Sequence, residues 1–210
     1  MLFKAASKTV LKGVETNRRY LNGRAGFFAL LHTWDQRLNS HPHVHVVIPS
    51  GALSDDKTKW NHSHPAFFLP VRKLSSAFRD KLLFYLRKEQ RAGRLVIPKT
   101  INDLKQLLEK LKEVPWAVHS QAPDKGKNNP QHIIRYLSRY VHKTALSDNR
   151  IVKLEKGSVH LSYLDRKRKK CKTEIISEKL FMQRLTFHIL PKGFKKVRFY
   201  GFWQTHVGKP

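Results

Sequence analysis

The chain has 210 residues, 40% of them hydrophobic, which is enough to bury a core of ordinary size and excludes a disordered protein. Lysine and arginine number 42 against 15 acidic residues, so the net charge is +27 and the expected partner is a polyanion, most simply nucleic acid. No apolar run reaches about 18 residues and no secretory signal pattern is present, which disfavours a membrane-surface protein and favours a soluble, intracellular one.

Helical and strand patterns are interleaved along the chain. Apolar residues three or four positions apart predict helices, and apolar runs bounded by glycine, proline or polar residues predict strands. Asn129 and Ser177 are typical N-caps. The predicted elements are, in chain order, a helix at 1–15, strands at 27–34 and 43–51, a turn at 54–56 with irregular structure to 70, helices at 71–93 and 101–114, a short strand at 116–120, a helix at 130–143, a basic β meander at 150–177, a helix at 177–190 and a last strand within 195–203.

These elements define a fold class. The strands at 27–34 and 43–51 are joined by DQRLNS (35–40), so they are expected to pair as a hairpin at the centre of a sheet. Turns in the meander are expected at Lys156-Gly157 and at 166–170. Because helices and strands alternate without an internal repeat, the sequence predicts an α+β fold around a mainly antiparallel sheet.

Three histidines alternate in SHPHVHVVIPSG, at the start of the second strand. Residues at every second position of a strand share one face, so His41, His43 and His45 project together, and two adjacent imidazoles can reach one divalent ion. A His-x-His pattern is weak by itself in a chain with 12 histidines. The valines that follow indicate a core strand, however, where a histidine needs a polar partner. A metal ion is one such partner.

The third ligand is not determined by spacing. Gln36 lies at the end of the preceding strand and brings its side-chain oxygen into the site if the hairpin closes, while His41, Asp35 and His32 are rivals. Two imidazoles, one oxygen ligand and open positions suit Mg²⁺ or Mn²⁺ carrying a substrate phosphate better than a closed structural zinc site.

Two tyrosines lie four residues apart in RYLSRYVHK. On a helix Tyr136 and Tyr140 are about 40° apart, so their hydroxyls share one face at the border between core and solvent. Two aromatics at the rim of a core are the simplest interpretation. A phenol, with an ordinary pKa of about 10, is a poor nucleophile near neutral pH, but Lys143 and Arg139 are each three residues after a tyrosine and are suitably placed to assist.

The histidines and the tyrosines together predict phosphoryl transfer. A divalent ion polarises a scissile phosphate in single-stranded DNA, and a tyrosine hydroxyl attacks in line to leave a 5′-phosphotyrosine and a free 3′-OH. A second tyrosine on the same face allows one enzyme to hold two DNA ends and to pass one strand to another without ATP.

The residues around both groups resemble the His-hydrophobic-His (HUH) endonucleases, and within them the two-tyrosine rolling-circle transposases of the insertion sequence ninety-one family. LHTWDQRLNSHPHVHVVIPSGALSDDKTKW is similar to that family's metal segment, IIRYLSRYVHKTALSDNRI to its tyrosine helix and HILPKGFKKVRFYG to its closing segment. The three blocks come in the expected order and cover nearly the whole chain.

The resemblance implies a site and a substrate. It implies that His43 and His45 are metal ligands, that Tyr136 and Tyr140 are the nucleophiles, and that the histidines lie on a central strand of a ferredoxin-like sheet. Gln36 matches a glutamine in the family's His-Thr-Trp-x-Gln pattern and becomes the favoured third ligand. The implied activity is a metal-dependent transposase that nicks and transfers single-stranded DNA at transposon ends and target, with Mg²⁺ or Mn²⁺ as cofactor.

The resemblance also implies an organisation. We expect a catalytic core at 1–145, completed by the basic meander, a helix and a terminal strand at 146–210, in the cytoplasm of a bacterium and associated with its nucleoid. Full-length members carry an N-terminal cysteine-rich zinc-binding segment, and the similarity begins after it, so a catalytic fragment or a shortened reading frame is expected. Asp35 stands where the family often has glycine.

Other features have two interpretations each. The loop RKRKK (166–170) suits a DNA-backbone contact or a solvated hairpin tip equally. Five aromatic residues can stack on bases, although a core position is favoured for each. The second His-x-His pair is predicted to lie in a loop without metal. The single cysteine is interpreted as a reduced thiol without a functional role. The residues concerned are Trp34, Trp60, Trp116, Phe67, Phe68, His62, His64 and Cys171.

Two other functions compete with that of a transposase. A non-catalytic single-stranded nucleic-acid-binding remnant of such an enzyme predicts salt-sensitive binding without a metal requirement. A hydrolytic metalloenzyme is disfavoured, because the sequence has no His-Glu-x-x-His motif and no carboxylate-rich site.

Overall fold

The computed structural model describes residues 1–120, 144–165 and 168–204. The predicted tyrosine helix, with Tyr136, Tyr140, Asn129 and Lys143, lies outside the described residues. No described helix is both long and apolar enough to cross a membrane. The described helices and strands are α1 (Leu2–Thr16), β1 (Gly26–Trp34), β2 (Ser40–Val47), β3 (Gly51–Leu53), β4 (Trp60–His62), α2 (Val71–Arg91), α3 (Leu104–Glu113), β5 (Ile151–Glu155), β6 (Ser158–Asp165), β7 (Lys170–Ser177), α4 (Glu178–Thr186) and β8 (Val197–Gly201).

The strands form three small sheets within the described part of the chain. Their orders are β2-β1-β8, β3-β4 and β5-β6-β7, and β3-β4, β5-β6 and β6-β7 pair antiparallel. The predicted α+β class, the basic meander and the terminal strand are therefore confirmed, as is the pairing of the two histidine-bearing strands as neighbours. The single central sheet that the sequence suggested is divided instead among three. Among the described residues β2 lies at the edge of its sheet, so the expected central position of the strand that carries His43 and His45 is wrong.

The first of two compact units comprises residues 1–29, 46–120 and 198–204. Its core joins one face of α1 to the start of β1, where Val14, Leu21 and Phe27 are fully buried. The ring of Phe27 stacks on that of Tyr200 in β8, with centroids 5.3 Å apart. Burial of each large apolar side chain contributes about 1.5–3 kcal/mol, so these contacts are enough to hold α1 against the sheet.

The second unit comprises residues 30–45, 144–165 and 168–197. Alternate residues of β6, Val159 and Leu161, are buried together with Ile176 of β7 and Phe181 of α4. Helix α4 begins where the sequence predicted, because the Ser177 hydroxyl accepts a hydrogen bond from the Leu180 backbone N–H at 3.3 Å.

The turn between β1 and β2 is built around Asp35. Its Oδ1 accepts hydrogen bonds from the backbone N–H groups of Arg37 and Asn39 at 2.7 and 2.8 Å, and its Oδ2 accepts one from the Asn39 side chain at 2.9 Å. Leu38 adopts a left-handed backbone with φ 60° and is fully buried. The turn therefore fastens the hairpin to the core of the second unit, which fixes the relative positions of its two strands.

The structure divides one predicted strand. The sequence predicted a single strand over 43–51 and irregular structure after it. Instead β2 ends at Val47, and after Pro49 the chain starts β3 at Gly51, which pairs with β4 through Gly51–His62 and Leu53–Trp60. A proline has no backbone N–H to donate to a sheet, so the strand divides there.

The predicted strand at 116–120 is wrong. Residues 115–120 have no regular structure, and Trp116 instead packs beside α2 and α3. Its indole N–H donates to the carbonyl of Leu111 at 2.9 Å, and its carbonyl accepts from the Ser75 hydroxyl at 2.6 Å. Side-chain hydrogen bonds thus take the place of a strand partner.

Candidate metal centre

Three imidazoles converge from the β1–β2 hairpin: His32 of β1 and His43 and His45 of β2. One ring nitrogen of each lies within 4.8 Å of the other two. The ring centroids of His45 are 4.6 Å from His32 and 4.9 Å from His43. Nitrogen ligands lie about 2.1 Å from a bound ion and so at most about 4.2 Å from each other. Small side-chain rotations would bring all three to that geometry.

The orientation of His43 is fixed by the backbone of its own strand. Its Nδ1 is 2.7 Å from the carbonyl oxygen of His41. A carbonyl can only accept a hydrogen bond, so Nδ1 carries the proton and donates it. The Nε2 atom then holds the lone pair, as in metal sites where a ligating histidine donates its other ring N–H to a carbonyl.

The orientation of His32 is fixed by packing. This imidazole is 3% exposed and lies nearly parallel to the indole of Trp34, with centroids 4.8 Å apart and ring planes at 19°. Residues 32 and 34 alternate with Thr33 along β1, so both project from the same face of the strand. A buried histidine held in this way is a suitable ligand, because little ordering remains when an ion binds.

Asp35 is occupied elsewhere, although it was a rival for the third ligand. Both carboxylate oxygens accept hydrogen bonds within the turn. Burial by itself would raise the pKa of Asp35, but the hydrogen bonds from Asn39 and Arg37 outweigh it and hold this pKa below its usual value. The carboxylate is therefore a structural acceptor of the hairpin turn.

His41 and Gln36 have different places. His41 is exposed at the start of β2, and its carbonyl orients His43. Gln36 lies in the turn, where its backbone carbonyl accepts a hydrogen bond from the guanidinium of Arg150. That bond leaves the Gln36 side chain available, so its role as a ligand stays a prediction, beside the three histidines that the structure brings together.

Two arginines, Arg150 and Arg37, connect the β1–β2 hairpin to its surroundings in the second unit. Arg150 also donates to the carbonyls of Ala145 and Ser162 at 3.1 and 3.0 Å, and burial lowers the pKa of its guanidinium. Arg37 forms two parallel hydrogen bonds of 2.8 Å with Glu174. The hairpin is thereby fixed to the β5-β6-β7 sheet through charged groups, which keeps the turn beside the histidines in place.

A cavity of about 380 Å³ adjoins Trp34. It is lined mainly by apolar side chains of the 144–146 and 185–190 segments, with Thr144, His188 and Lys196 as its polar members. The Lys196 ammonium lies 5.2 Å from the centre of the Trp34 ring, and burial lowers the pKa of that ammonium. A cation and an aromatic ring thus line the space beside the histidine cluster.

His32 was predicted only as one of several rivals for the third ligand, and Lys196 was not predicted as a site residue. The signal for His32 was its place in LHTW, two residues before a tryptophan on a strand paired with His43 and His45. Lys196 follows directly after Lys195 in a basic segment, so nothing in its pattern separates it from other lysines.

Some aromatic residues for which a core position was predicted are exposed in the structure. Trp60 and Phe67 are 38% and 37% exposed, so the core position favoured for them is wrong, whereas Trp34 and Trp116 are half-buried. His64 stacks on Phe67 with centroids 4.4 Å apart.

In the RKRKK loop the structure describes residues 168–170, which form an exposed hairpin tip with Cys171 beside it, and a DNA-backbone contact there stays a prediction.

The chain is similar in sequence to known transposases. The model of a family described as "Putative transposase" matches residues 26–209. A protein named "Putative transposase y4qJ" from Sinorhizobium fredii is 38% identical over 209 residues, covering 96% of this chain and 52% of the relative. The "Transposase for insertion sequence element IS801" from Pseudomonas savastanoi pv. phaseolicola is 28% identical over 213 residues, covering 98% of this chain and 49% of the relative. The chain spans about half the length of these curated relatives, and no solved structure matches it.

Proposed function

The chain belongs to the transposase family that this model describes, and from that membership we propose that it is a metal-dependent endonuclease and strand transferase for single-stranded DNA, acting through a 5′-phosphotyrosine. The class within that family is the two-tyrosine HUH type of the insertion sequence ninety-one family, with a ferredoxin-like sheet and rolling-circle transposition in the bacterial cytoplasm, at the nucleoid. The basic charge of +27 supports DNA as the substrate.

The convergence of His32, His43 and His45 is the observation that carries the proposal. Their nitrogens lie within 4.8 Å of one another on one hairpin. A divalent ion held by these three histidines would supply positive charge that polarises a phosphate oxygen. With three nitrogen ligands the cluster suits Mn²⁺ better than Mg²⁺, which prefers oxygen, while a contribution from the Gln36 side chain would widen the choice to both ions.

The tyrosines carry the covalent step. The hydroxyl oxygen of Tyr136 or Tyr140 forms a bond to phosphorus, the bond from phosphorus to the 3′ oxygen breaks, and the phenolic proton leaves to a base while the 3′ oxygen takes up a proton. Lys143 is proposed to favour the phenolate by its charge. The reverse reaction, with a different 3′-OH as the attacking group, joins two strands and regenerates the tyrosine.

A covalent-adduct assay tests this mechanism. The protein is incubated with labelled single-stranded oligonucleotides that include the element ends, with Mn²⁺ or Mg²⁺, and separated on a denaturing gel. A metal-dependent adduct is expected that Tyr136→Phe and Tyr140→Phe each alter and that the double variant abolishes, with Tyr163→Phe of β6 as the matched control. An adduct that persists in the double variant would refute the mechanism. Tight, salt-sensitive binding without any adduct would instead indicate the non-catalytic DNA-binding remnant.

A further inference from the structure

A row of aromatic rings extends across the first unit, on β1, β4, β8 and the turn that follows β8. Neighbouring centroids are 6.1 to 6.4 Å apart along the whole row. The proposed phosphotyrosine chemistry does not use any of these rings. In order they are Phe199, Phe28, Trp203, Phe202 and Trp60, and we call them the aromatic row.

The aromatic row lies on the sheet face opposite the core of this unit. Successive residues of a strand project to opposite faces. Phe27 and Tyr200 face the core, where they stack on each other. Their neighbours Phe28 and Phe199 therefore project from the other face, where their rings are 6.1 Å apart.

Glycines make room for two rings of the row. A Cβ on Gly26 would lie 2.5 Å from the ring of Phe202, and a Cβ on Gly51 would lie 2.4 Å from the indole nitrogen of Trp60. Gly201 has a left-handed φ of 64°, and a Cβ there would collide with the carbonyl of Ala25. The chain thus turns at Gly201 and brings the Phe202 ring against the backbone of Gly26.

Three of the five rings are open to solvent, whereas Phe28 is buried at 9% exposure and Trp203 is half-buried. Phe199 is 53% exposed, Phe202 39% and Trp60 38%. Large apolar side chains that adjoin one another at the surface mark a binding surface, whereas single exposed ones are ordinary. The exposed rings of Phe199, Phe202 and Trp60 offer separate stacking positions, because Trp60 and Phe202 meet edge to face and Phe28 and Trp203 pack between Phe199 and Phe202.

A cation accompanies the rings. Arg24 and Trp60 are both paired directly with Leu53, from opposite sides, and directly paired residues on neighbouring strands project from the same face. Arg24 is exposed and forms no ion pair with any carboxylate among residues 1–120, 144–165 and 168–204. The face therefore combines π surfaces with a positive charge, in a chain of net charge +27.

We propose that the aromatic row is a stacking platform for the bases of single-stranded DNA, with Arg24 as a backbone contact. Every base has a π face, so binding there is tolerant of sequence and selective for unpaired strands. The inference rests on the proposed function only in that single-stranded DNA is the substrate; it concerns binding and needs neither the histidines nor the tyrosines. Its role is to bind unpaired bases of the substrate, and it takes no part in the reaction at the phosphate.

Fluorescence anisotropy of a labelled oligothymidylate, measured without divalent metal, tests the platform. Phe199→Ala and Trp60→Ala are each expected to raise the Kd by about 5- to 150-fold. Phe199→Leu is expected to weaken binding nearly as much, because it keeps apolar bulk but has no π face. Phe84→Ala is the matched control, since Phe84 of α2 is 60% exposed and lies outside the row.

The results of this experiment distinguish a DNA-binding platform from a self-association surface and from a failure of the phosphotyrosine mechanism. Retained binding in Phe199→Ala or full binding in Phe199→Leu, with a melting temperature like that of the wild type, overturns it. Loss of self-association in Phe199→Ala without a change in DNA affinity also overturns it, and assigns the row to a second copy of the chain. If the covalent protein–DNA adduct forms normally and the row variants bind the oligonucleotide like the wild type, the platform alone is refuted. If no adduct forms but DNA binding depends on the row, the phosphotyrosine mechanism alone is refuted.

Discussion

The imidazole of His32 lies against the indole of Trp34 at 4.8 Å, with the two planes only 19° apart. The same indole carries the Lys196 ammonium at 5.2 Å and meets the edge of His188 at 6.0 Å. Trp34 is thus shared between the histidine cluster and the cavity beside it. We therefore expect substitutions of Trp34 to alter the metal affinity of the histidine cluster, although Trp34 donates no ligand atom.

Replacing Trp34 by alanine is expected to weaken Mn²⁺ binding by about 10-fold, because His32 loses the surface that orients its ring. Trp34→Phe keeps an aromatic surface and should bind Mn²⁺ nearly as the wild type does. Titration calorimetry with Mn²⁺ measures both variants, and Trp60→Ala is the control for loss of an indole outside the second unit. Equal affinities of Trp34→Ala and wild type would show that the stacking does not position His32.

His188 is expected to stabilise the hairpin. Its Nε2 donates to the carbonyl of Leu38 at 2.9 Å, and its Nδ1, 3.0 Å from the Thr33 hydroxyl, accepts from it. His188→Ala leaves both groups without this partner in a buried place, which should lower the free energy of unfolding by about 1–3 kcal/mol. His188→Gln retains a donor for Leu38 and should lose less. Urea denaturation at neutral pH compares them, and equal losses would contradict the assigned hydrogen bonds.

Glu174 links the hairpin to the second unit's sheet in a pH-dependent way. The hydrogen bonds from Arg37, together with the charges of Arg184 and Arg37, hold the pKa of Glu174 below its ordinary value of 4.5. An acid with a depressed pKa in the folded state adds stability above its unfolded pKa and loses it as the pH falls through the folded pKa. Glu174→Gln should therefore lower the free energy of unfolding by about 1–3 kcal/mol at pH 7.

The difference between Glu174→Gln and wild type should shrink progressively below about pH 4.5. Denaturant titrations at a series of pH values measure it. Glu155→Gln is the comparison, because the ion pair of Glu155 with Lys153 is exposed and should contribute at most about 1 kcal/mol. A difference that stays constant down to strongly acidic pH would refute the role of the Glu174 carboxylate.

The β5–β6 turn offers a stabilising substitution. Lys156 and Gly157 both have positive φ, 48° and 74°, in a two-residue hairpin connection. Asparagine tolerates the first of these positions better than lysine does, so Lys156→Asn should raise the free energy of unfolding by about 0.5 kcal/mol. Gly157→Ala should lower it by about 1 kcal/mol through backbone strain alone, since a Cβ there would meet nothing within 4 Å. Thermal denaturation of both variants checks the opposite signs.

Local patterns predicted most of the elements. Apolar spacing identified α1, α2, the meander and β8, and Ser177 marked the start of α4, because these signals act within one element. The division of 43–51 has a local signal in Pro49, which the prediction of one strand did not use. The loss of the strand at 116–120 has no local signal, because it depends on partners distant in sequence, such as Ser75, whose hydroxyl donates to the carbonyl of Trp116.

The candidate site shows the same limit. Alternation identified His43 and His45 as neighbours, but the choice among Gln36, His41, Asp35 and His32 depends on how the hairpin closes. Closure is set by the hydrogen bonds of Asp35 and the left-handed backbone of Leu38, and a buried leucine is not a residue from which positive φ is expected. The sequence could therefore name the rivals without ranking His32 first.

Titration of Mn²⁺ into wild type, His32→Ala, His41→Ala and Gln36→Ala is the most direct test of the metal centre. Wild type and His41→Ala should bind one ion alike, because His41 contributes only its carbonyl, whereas His32→Ala should lose more than about 100-fold in affinity. A loss in Gln36→Ala would add Gln36 to the ligands. Binding by His32→Ala with wild-type affinity would contradict the three-histidine centre.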